Sequence, residues 1–244
     1  MAAVGQNILD RYRVSHTEGE MLADKSILGH LNRSPYPSDL HRVADITIFM
    51  LAGYDTTAHQ LSWIIIELAR NPDITAKLRE ELDTVMGPTN GPRNCSASQL
   101  SELHYLGKII KEGMRLWPVI AYGVQRIIPE DIPYKEYVIP KGSSVSINFF
   151  ALFRTGIQDG DRYIPERWND DNPEREKLNE LLIPFSAGRR NCIGQSLALM
   201  ELKLVLATLF YSYDFTLIGD FKETVSLTLK PSDVNLKVIP RCKY

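Results

Sequence analysis

A lone cysteine, an acid–threonine pair and a glutamate–arginine pair are the residues whose types and spacing could carry chemistry. The cysteine is Cys192, in Pro184-Phe-Ser-Ala-Gly-Arg-Arg-Asn-Cys-Ile-Gly194. A loop with two glycines delivers it toward a helix start, where unpaired N–H groups and the positive dipole end favour thiolate. Gly188 and Gly194 lack a Cβ and let backbone approach a flat partner. Arg190 lies two residues before the cysteine and is placed to bind an anion beside it. The second set is Ala52-Gly-Tyr-Asp-Thr-Thr57, where Asp55 and Thr56 interrupt an otherwise apolar helix. An acid there is costly unless satisfied, a glycine costs about 1 kcal/mol against alanine, and a threonine hydroxyl can take the i−4 carbonyl and bend the helix. The third set is Glu112-Gly-Met-Arg115, an acid and a base at i,i+3 on one helix face. Most such pairs are solvated, but Leu116-Trp-Pro118 follows and suggests a buried face.

These residues need elements to hold them. Residues 1–29 read as a short helical region with polar interruptions, broken by Pro35-Tyr-Pro37. Ser38 and Asp39 suit a helix N-terminus. A pattern of about 30 residues then runs from Leu40 to Asn71-Pro72, roughly 45 Å of helix. Ile46 to Ala52 is apolar nearly all round, which predicts burial. A second helix runs from Pro72 to about Met86, with Lys77, Glu80 and Glu81 on a solvated face, followed by the loop 87–92. A third spans Glu102 to Trp117 and is closed by Pro118. Residues 119–150 alternate β-branched and aromatic types around Pro140-Lys-Gly142 and read as short strands. Residues 154–188 are expected to wander without much regular structure. A fourth helix, from about Cys192 to Tyr211, has Leu197, Met200, Leu204 and Leu209 at helical spacing, and a strand pair with a turn near Pro231-Ser-Asp233 follows. The chain is therefore expected to be mostly helical with a minor sheet.

Composition narrows the classes. The 28 Lys and Arg against 30 Asp and Glu leave a net charge of −2 and no electrostatic footprint for nucleic acid. The 44% hydrophobic and 24% charged residues exclude bulk disorder. Cys95, Cys192 and Cys242 make an odd count of three and no disulfide framework; Cys95 and Cys242 are read as incidental. No G-x-G pair, phosphate loop or nucleophile elbow occurs. His16, His30, His41, His59 and His104 include no i,i+3 or i,i+4 pair, so a histidine zinc site lacks support and each is read as a surface or packing residue. The N-terminus shows no targeting signal and no run approaches a membrane span, so the chain as written is expected to be soluble or peripheral. The sequons Asn32-Arg-Ser34 and Asn94-Cys-Ser96 are then read as chance.

The pattern F-x-x-G-x-R-x-C-x-G, present as Phe185, Gly188, Arg190, Cys192 and Gly194, resembles the haem-binding loop of the cytochrome P450 family. The resemblance implies a haem-thiolate monooxygenase in which Cys192 is the axial iron ligand, Arg190 a propionate partner and Phe185 a cover on the proximal side. Thiolate ligation pushes electron density that favours O–O cleavage. Residues 52–57 resemble the family's oxygen-activation motif, A/G-G-x-D/E-T-T/S, at all its fixed positions. Thr56 would then stabilise the oxygen being activated, Asp55 would feed protons and Gly53 would leave room. Glu112 and Arg115 match E-x-x-R, and Arg167 of Pro165-Glu-Arg-Trp168 is the third member of that structural network. Arg126 lies where the family places a second propionate-binding residue. Residues 118–123 and 230–234 fall on its substrate-contact segments.

The resemblance covers about Lys25 to Arg241 and corresponds to the C-terminal, haem-ligating portion of a single P450 domain, here residues 1–244. Its features are the long central helix, the E-x-x-R helix, the cysteine loop and helix, and small sheets. The family's membrane anchor, most helices roofing the haem and its W-x-x-x-R helix have no counterpart. Residues 151–168 look about three residues short, without D-P-x-x-W before P-E-R, so a different bend is expected there. The implied cofactor is haem b, with electrons from NADPH through a flavoprotein reductase or other electron-transfer partner. Dioxygen and a lipophilic small molecule are the implied substrates. A full-length protein is expected on the cytosolic face of the endoplasmic reticulum membrane, and this chain alone is expected to be inactive. Two other readings stay open: a non-catalytic remnant unable to enclose haem, and a haem-thiolate enzyme that rearranges peroxides. The intact Asp55-Thr56 pair argues against the latter.

Overall fold

Caps and prolines set the element boundaries in the computed structural model, which describes residues 2–90 and 95–241. The sequon at Asn94, the end of the 87–92 loop and Cys242 lie outside the described residues. The chain divides into two compact units, residues 1–55 and 56–244. The long helix α4, Asp39–Arg70, contributes residues 39–55 to the first and 56–70 to the second.

The first unit holds α1 (Ala2–Ser15), α2 (Glu18–Ala23), α3 (Ile27–Arg33) and the start of α4. Thr17 and Ser26 cap α2 and α3, and Thr17 with Glu20 forms a capping box. Leu9, Val43 and Ile46 make a small core. Gly5 is required there, because a Cβ would come within 2.4 Å of the Thr47 hydroxyl. The expected burial of Ile46 to Ala52 holds only on one face. Val43 and Ile46 are buried, whereas Ile48, Met50 and Tyr54 are exposed. The core offered to this segment is three side chains wide, too narrow to cover a helix that is apolar all round.

The second unit carries the rest. Helix α5 (Pro72–Asn90) is interrupted at Gly87, whose φ of 63° ends the regular turn near Met86, as the sequence suggests. A short α6 (Ala97–Glu102), capped by Ser96 with Gln99, precedes α7 (His104–Leu116). The third helix therefore starts two residues later than expected, after a separate turn. Four short strands follow: β1 (Arg126–Ile127), β2 (Ile132–Tyr134), β3 (Tyr137–Ile139) and β4 (Ser144–Val145), with β1 antiparallel to β4 and β2 to β3.

The stretch 154–188 is more regular than its composition suggested. After α8 (Phe149–Leu152), Pro165–Trp168 forms a 3-10 turn and α9 (Arg175–Leu181) is a two-turn helix. The glycines, prolines and acids punctuate these pieces rather than abolish them. Helix α10 spans Gln195–Ser212, so Cys192 precedes it by three residues rather than opening it. The C-terminal strands form two ribbons instead of one. β5 (Tyr213–Leu217) pairs with β8 (Leu236–Pro240), and β6 (Lys222–Val225) with β7 (Leu229–Ser232). Pro231 and Ser232 lie in β7, and the turn begins at Asp233, in the left-handed region at φ 58°.

The main core joins α4 (Trp63, Ile64), α5 (Leu78, Leu82), α7 (Leu106, Ile109) and α10 (Leu206, Phe210). Gly113 lets α7 meet α4, since a Cβ would stand 2.4 Å from Ile64 Cγ1. Among the described residues no helix is long and apolar enough to cross a membrane.

Candidate active site

The cysteine loop is built by backbone bonds. The Cys192 amide donates to the Phe185 carbonyl at 2.9 Å, the Asn191 amide to Gly188 at 3.1 Å and the Ser186 amide to Ile183 at 2.9 Å. Gly188 sits at φ 74° and Ser186 at φ 63°. The left-handed region is open to glycine and strained for serine. Phe185 packs against the main core and anchors the loop. Gly194 caps α10 with its carbonyl, accepting from the Ala198 amide at 2.9 Å. Phe185, Gly188, Arg190, Cys192 and Gly194 are thus gathered by one short loop.

The loop offers a reactive face. The Cys192 thiol is exposed, Arg189 and Arg190 are exposed beside it, and no atom lies within 4 Å of where a Gly188 Cβ would stand. Ile193 is 84% exposed, and Leu197, Met200 and Leu204 continue an uncovered apolar stripe along α10. A soft anionic sulfur, a side-chain-free glycine, apolar surface and two guanidinium groups fit a planar apolar macrocycle with a soft metal and acid substituents.

Arg126 lies on β1, opposite Val145, and is exposed. Its side chain donates to the neighbouring Gln125 carbonyl at 3.2 Å, so its recorded bond is local and does not reach the cysteine loop. Asp55 and Thr56 are both half-buried on α4. The helix continues through them without a break, and a Cβ at Gly53 would meet nothing within 4 Å. Back-bonding to the i−4 carbonyl occurs elsewhere on this helix, from Thr47 to Val43 at 2.7 Å and from Ser62 to Ala58 at 2.9 Å.

The E-x-x-R pair is the most enclosed charged group. Glu112 and Arg115 are 0% and 1% exposed, and Arg167 is 9% exposed. Arg115 grips Glu112 with two parallel bonds of 2.9 and 2.8 Å, the bidentate geometry that makes such pairs strong. Arg167 Nε reaches Glu112 at 3.3 Å, Trp168 Nε1 at 3.1 Å and the Ile164 amide at 2.9 Å. Arg115 also donates to the carbonyls of Phe153, Gly160 and Arg162 at 2.9, 2.6 and 2.9 Å. Arg167 donates to the carbonyls of Gln158 and Asp159. The network therefore forms on the shortened segment and holds it in place. Gly160 lets the chain pass the Arg154 carbonyl, which a Cβ would approach to 2.4 Å.

Sequence reasoning did not find two further polar links. Trp63 and Trp117 stack with centroids 4.0 Å apart. Trp117 Nε1 donates to Glu67 Oε1 at 2.9 Å, tying the end of α7 to α4, and burial pushes the Glu67 carboxyl up from its ordinary value. His59 Nδ1 lies 2.8 Å from the Thr228 hydroxyl, and Trp63 Nε1 donates to the Leu229 carbonyl at 3.0 Å. The available signal was spacing: Thr56, His59 and Trp63 recur at i, i+3 and i+7.

Comparison with known proteins is consistent with this geometry. The family model described as Cytochrome P450 matches residues 8–238. Cytochrome P450 3A28 of Bos taurus is 34% identical over 212 residues, which is 84% of this chain and 41% of that protein. Cytochrome P450 3A19 of Capra hircus aegagrus is 35% identical over 83% of this chain and 94% of that sequence. Cytokinin hydroxylase of Arabidopsis thaliana is 39% identical over 75% of this chain and 35% of that protein. A crystal structure of a cytochrome P450, CYP102L1, superposes with a TM-score of 0.85 at 29% identity, covering 98% of this chain and 55% of the other. The chain thus spans about half the length or less of most of the curated relatives named here.

Proposed function

The chain belongs to the cytochrome P450 family, and from that premise we propose that it is the haem-ligating portion of a monooxygenase that inserts one atom of dioxygen into a lipophilic organic substrate. The observation that carries the reading is the cysteine loop: one exposed thiol, folded back by the Cys192–Phe185 bond and flanked by glycine, apolar and guanidinium surface. Cys192 would hold haem b through its thiolate, and Arg190, with Arg126, would pair with the propionates. Phe185, Gly188 and Gly194 would shape the face against which the ring lies. The bound haem supplies activation of dioxygen.

Every other contribution comes from the chain. The Thr56 hydroxyl both accepts and donates a hydrogen bond and would pass a proton to the oxygen being activated. Asp55, its neighbour on α4, would replenish that proton, a general acid–base role. The Glu112–Arg115–Arg167 network holds residues 153–168 and is folding chemistry rather than catalysis. The electrons would come from NADPH through a flavoprotein reductase, for which Arg189 and Arg190 offer an exposed basic face. The endoplasmic reticulum membrane is the proposed location, consistent with the animal relatives. The test is the absorption spectrum of the reduced, CO-treated protein. A red-shifted Soret band in the wild type that is lost in Cys192→Ser supports the reading. The same band in Cys192→Ser would refute the ligand assignment.

A further inference from the structure

We infer that His59 is a positioning residue that clamps the tip of the β6–β7 hairpin onto the Thr56 face of α4, making Leu227 and Val225 a specificity-determining wall for the apolar part of the substrate. The inference rests on the monooxygenase reading for the word substrate; the clamp itself rests on geometry.

Residues three and four apart share a helix face, so His59 stands one turn beyond Thr56 on the same side, and Trp63 one turn beyond His59. Both side chains reach the start of β7. His59 Nδ1 lies 2.8 Å from Thr228 Oγ1, and Trp63 Nε1 donates to the Leu229 carbonyl at 3.0 Å. From the opposite side the Leu229 amide donates to the Val119 carbonyl at 2.8 Å. The hairpin is therefore held between α4 and the segment after α7 by bonds at two consecutive residues. Thr228 and Leu229 are buried at 1% and 2% exposure. The turn closes locally, with the Ser226 amide donating to the Thr228 carbonyl at 3.1 Å.

The rest of the tip is different. Leu227 is 71% exposed and Val225 52% exposed, so two apolar side chains project from a hairpin whose base is fixed to the helix bearing Thr56. A two-stranded ribbon is marginal by itself, and its tip keeps its place only through such anchors. Trp63 fixes a backbone carbonyl and is locked in the core by its stack on Trp117. His59 holds the side chain of the turn residue itself, immediately after Leu227. It is thus the group whose loss frees the tip while leaving the base in place.

The test uses haem-loaded protein in a non-ionic detergent and two nitrogen ligands. Imidazole probes the iron site alone; 1-dodecylimidazole also reaches an apolar wall. His59→Ala and Thr228→Val are each expected to weaken 1-dodecylimidazole about five-fold, the weight of one hydrogen bond, with imidazole affinity unchanged. The two substitutions together should cost no more than either alone. His59→Gln, which keeps a donor and an acceptor, should restore binding. Equal losses for both ligands, no loss for either, or full additivity would overturn the proposal. Amide hydrogen exchange in protein without haem decides the clamp independently. Residues 226–229 should exchange faster in His59→Ala and not in His59→Gln, and unchanged exchange in His59→Ala would overturn it. A wild-type protein with no imidazole-induced Soret shift would instead refute the haem reading, and the exchange result would still judge the clamp.

Discussion

At the scale of single residues, the candidate chemistry falls on side chains that the fold leaves accessible or half-accessible. Cys192 is exposed, on a loop whose glycines and left-handed Ser186 present sulfur rather than backbone. A buried cysteine would be an inert packing residue. Asp55 and Thr56 sit half-buried in one unbroken helix, so Thr56→Ala removes a hydroxyl without disturbing the helix, in which alanine is the best former. The expected outcome is unchanged haem content with electrons diverted to peroxide, read as product formed per NADPH consumed. An unchanged ratio would remove Thr56 from the proton route. Asp24 offers a pH-dependent counterpart away from the site. It accepts from Tyr12 Oη at 2.8 Å and from the Ser26 amide and hydroxyl at 2.8 and 2.6 Å. The Ser26 bonds lead in lowering its pKa from 3.8 to about 2. A carboxylate whose folded pKa is depressed contributes stability above its unfolded value and loses it as pH falls through the folded one. Between pH 4 and 2 the melting temperature of the wild type should therefore fall more steeply than that of Asp24→Asn. Parallel curves would mean that Asp24 contributes nothing there.

Among the elements, α7 decides whether residues 153–168 have a structure at all. That segment contains few apolar anchors, and its carbonyls are collected by Arg115 and Arg167, both neutralised by Glu112. Removing one partner of a buried ion pair costs about 3–5 kcal/mol because the remaining charge stays buried. Glu112→Ala strands two guanidinium groups at once. We expect a loss in that range, with a fall in melting temperature on the order of 10 °C for a chain of this size, and poor haem retention. Glu112→Gln keeps the acceptor and should lose less. A soluble, haem-loaded Glu112→Ala variant with unchanged melting would contradict a structural role for the network.

For the whole chain, the governing quantity is apolar surface left in water. In the second unit Tyr122, Val124, Ile127, Tyr134, Tyr137, Val138 and Ile147 are exposed between residues 122 and 147, as is the α10 stripe. Apolar patches of this kind mark contact sites or association liabilities. The 244-residue chain alone should therefore self-associate with rising concentration in sedimentation velocity and be dispersed by non-ionic detergent. Supplied with haem and a redox partner, it should show no substrate-dependent oxygen insertion, because a reaction site needs a dry enclosure. A monomeric preparation that hydroxylates a lipophilic substrate would falsify this expectation. What the sequence alone determined is local or patterned. The ten-residue cysteine loop, the 52–57 motif, E-x-x-R with P-E-R-W, and the span of α4 are written in contiguous residues, because caps, prolines and ligand chemistry act over a few positions. What the tertiary structure decided is which faces are covered and which distant groups meet. The exposure of Ile48 and Met50, the separation of the C-terminal strands into two ribbons, and the hold of Arg115 and Arg167 on the 153–162 carbonyls depend on partners far along the chain. So does the meeting of His59 with Thr228, 169 residues apart, since no local pattern encodes a contact whose stabilisation appears only after both elements have packed.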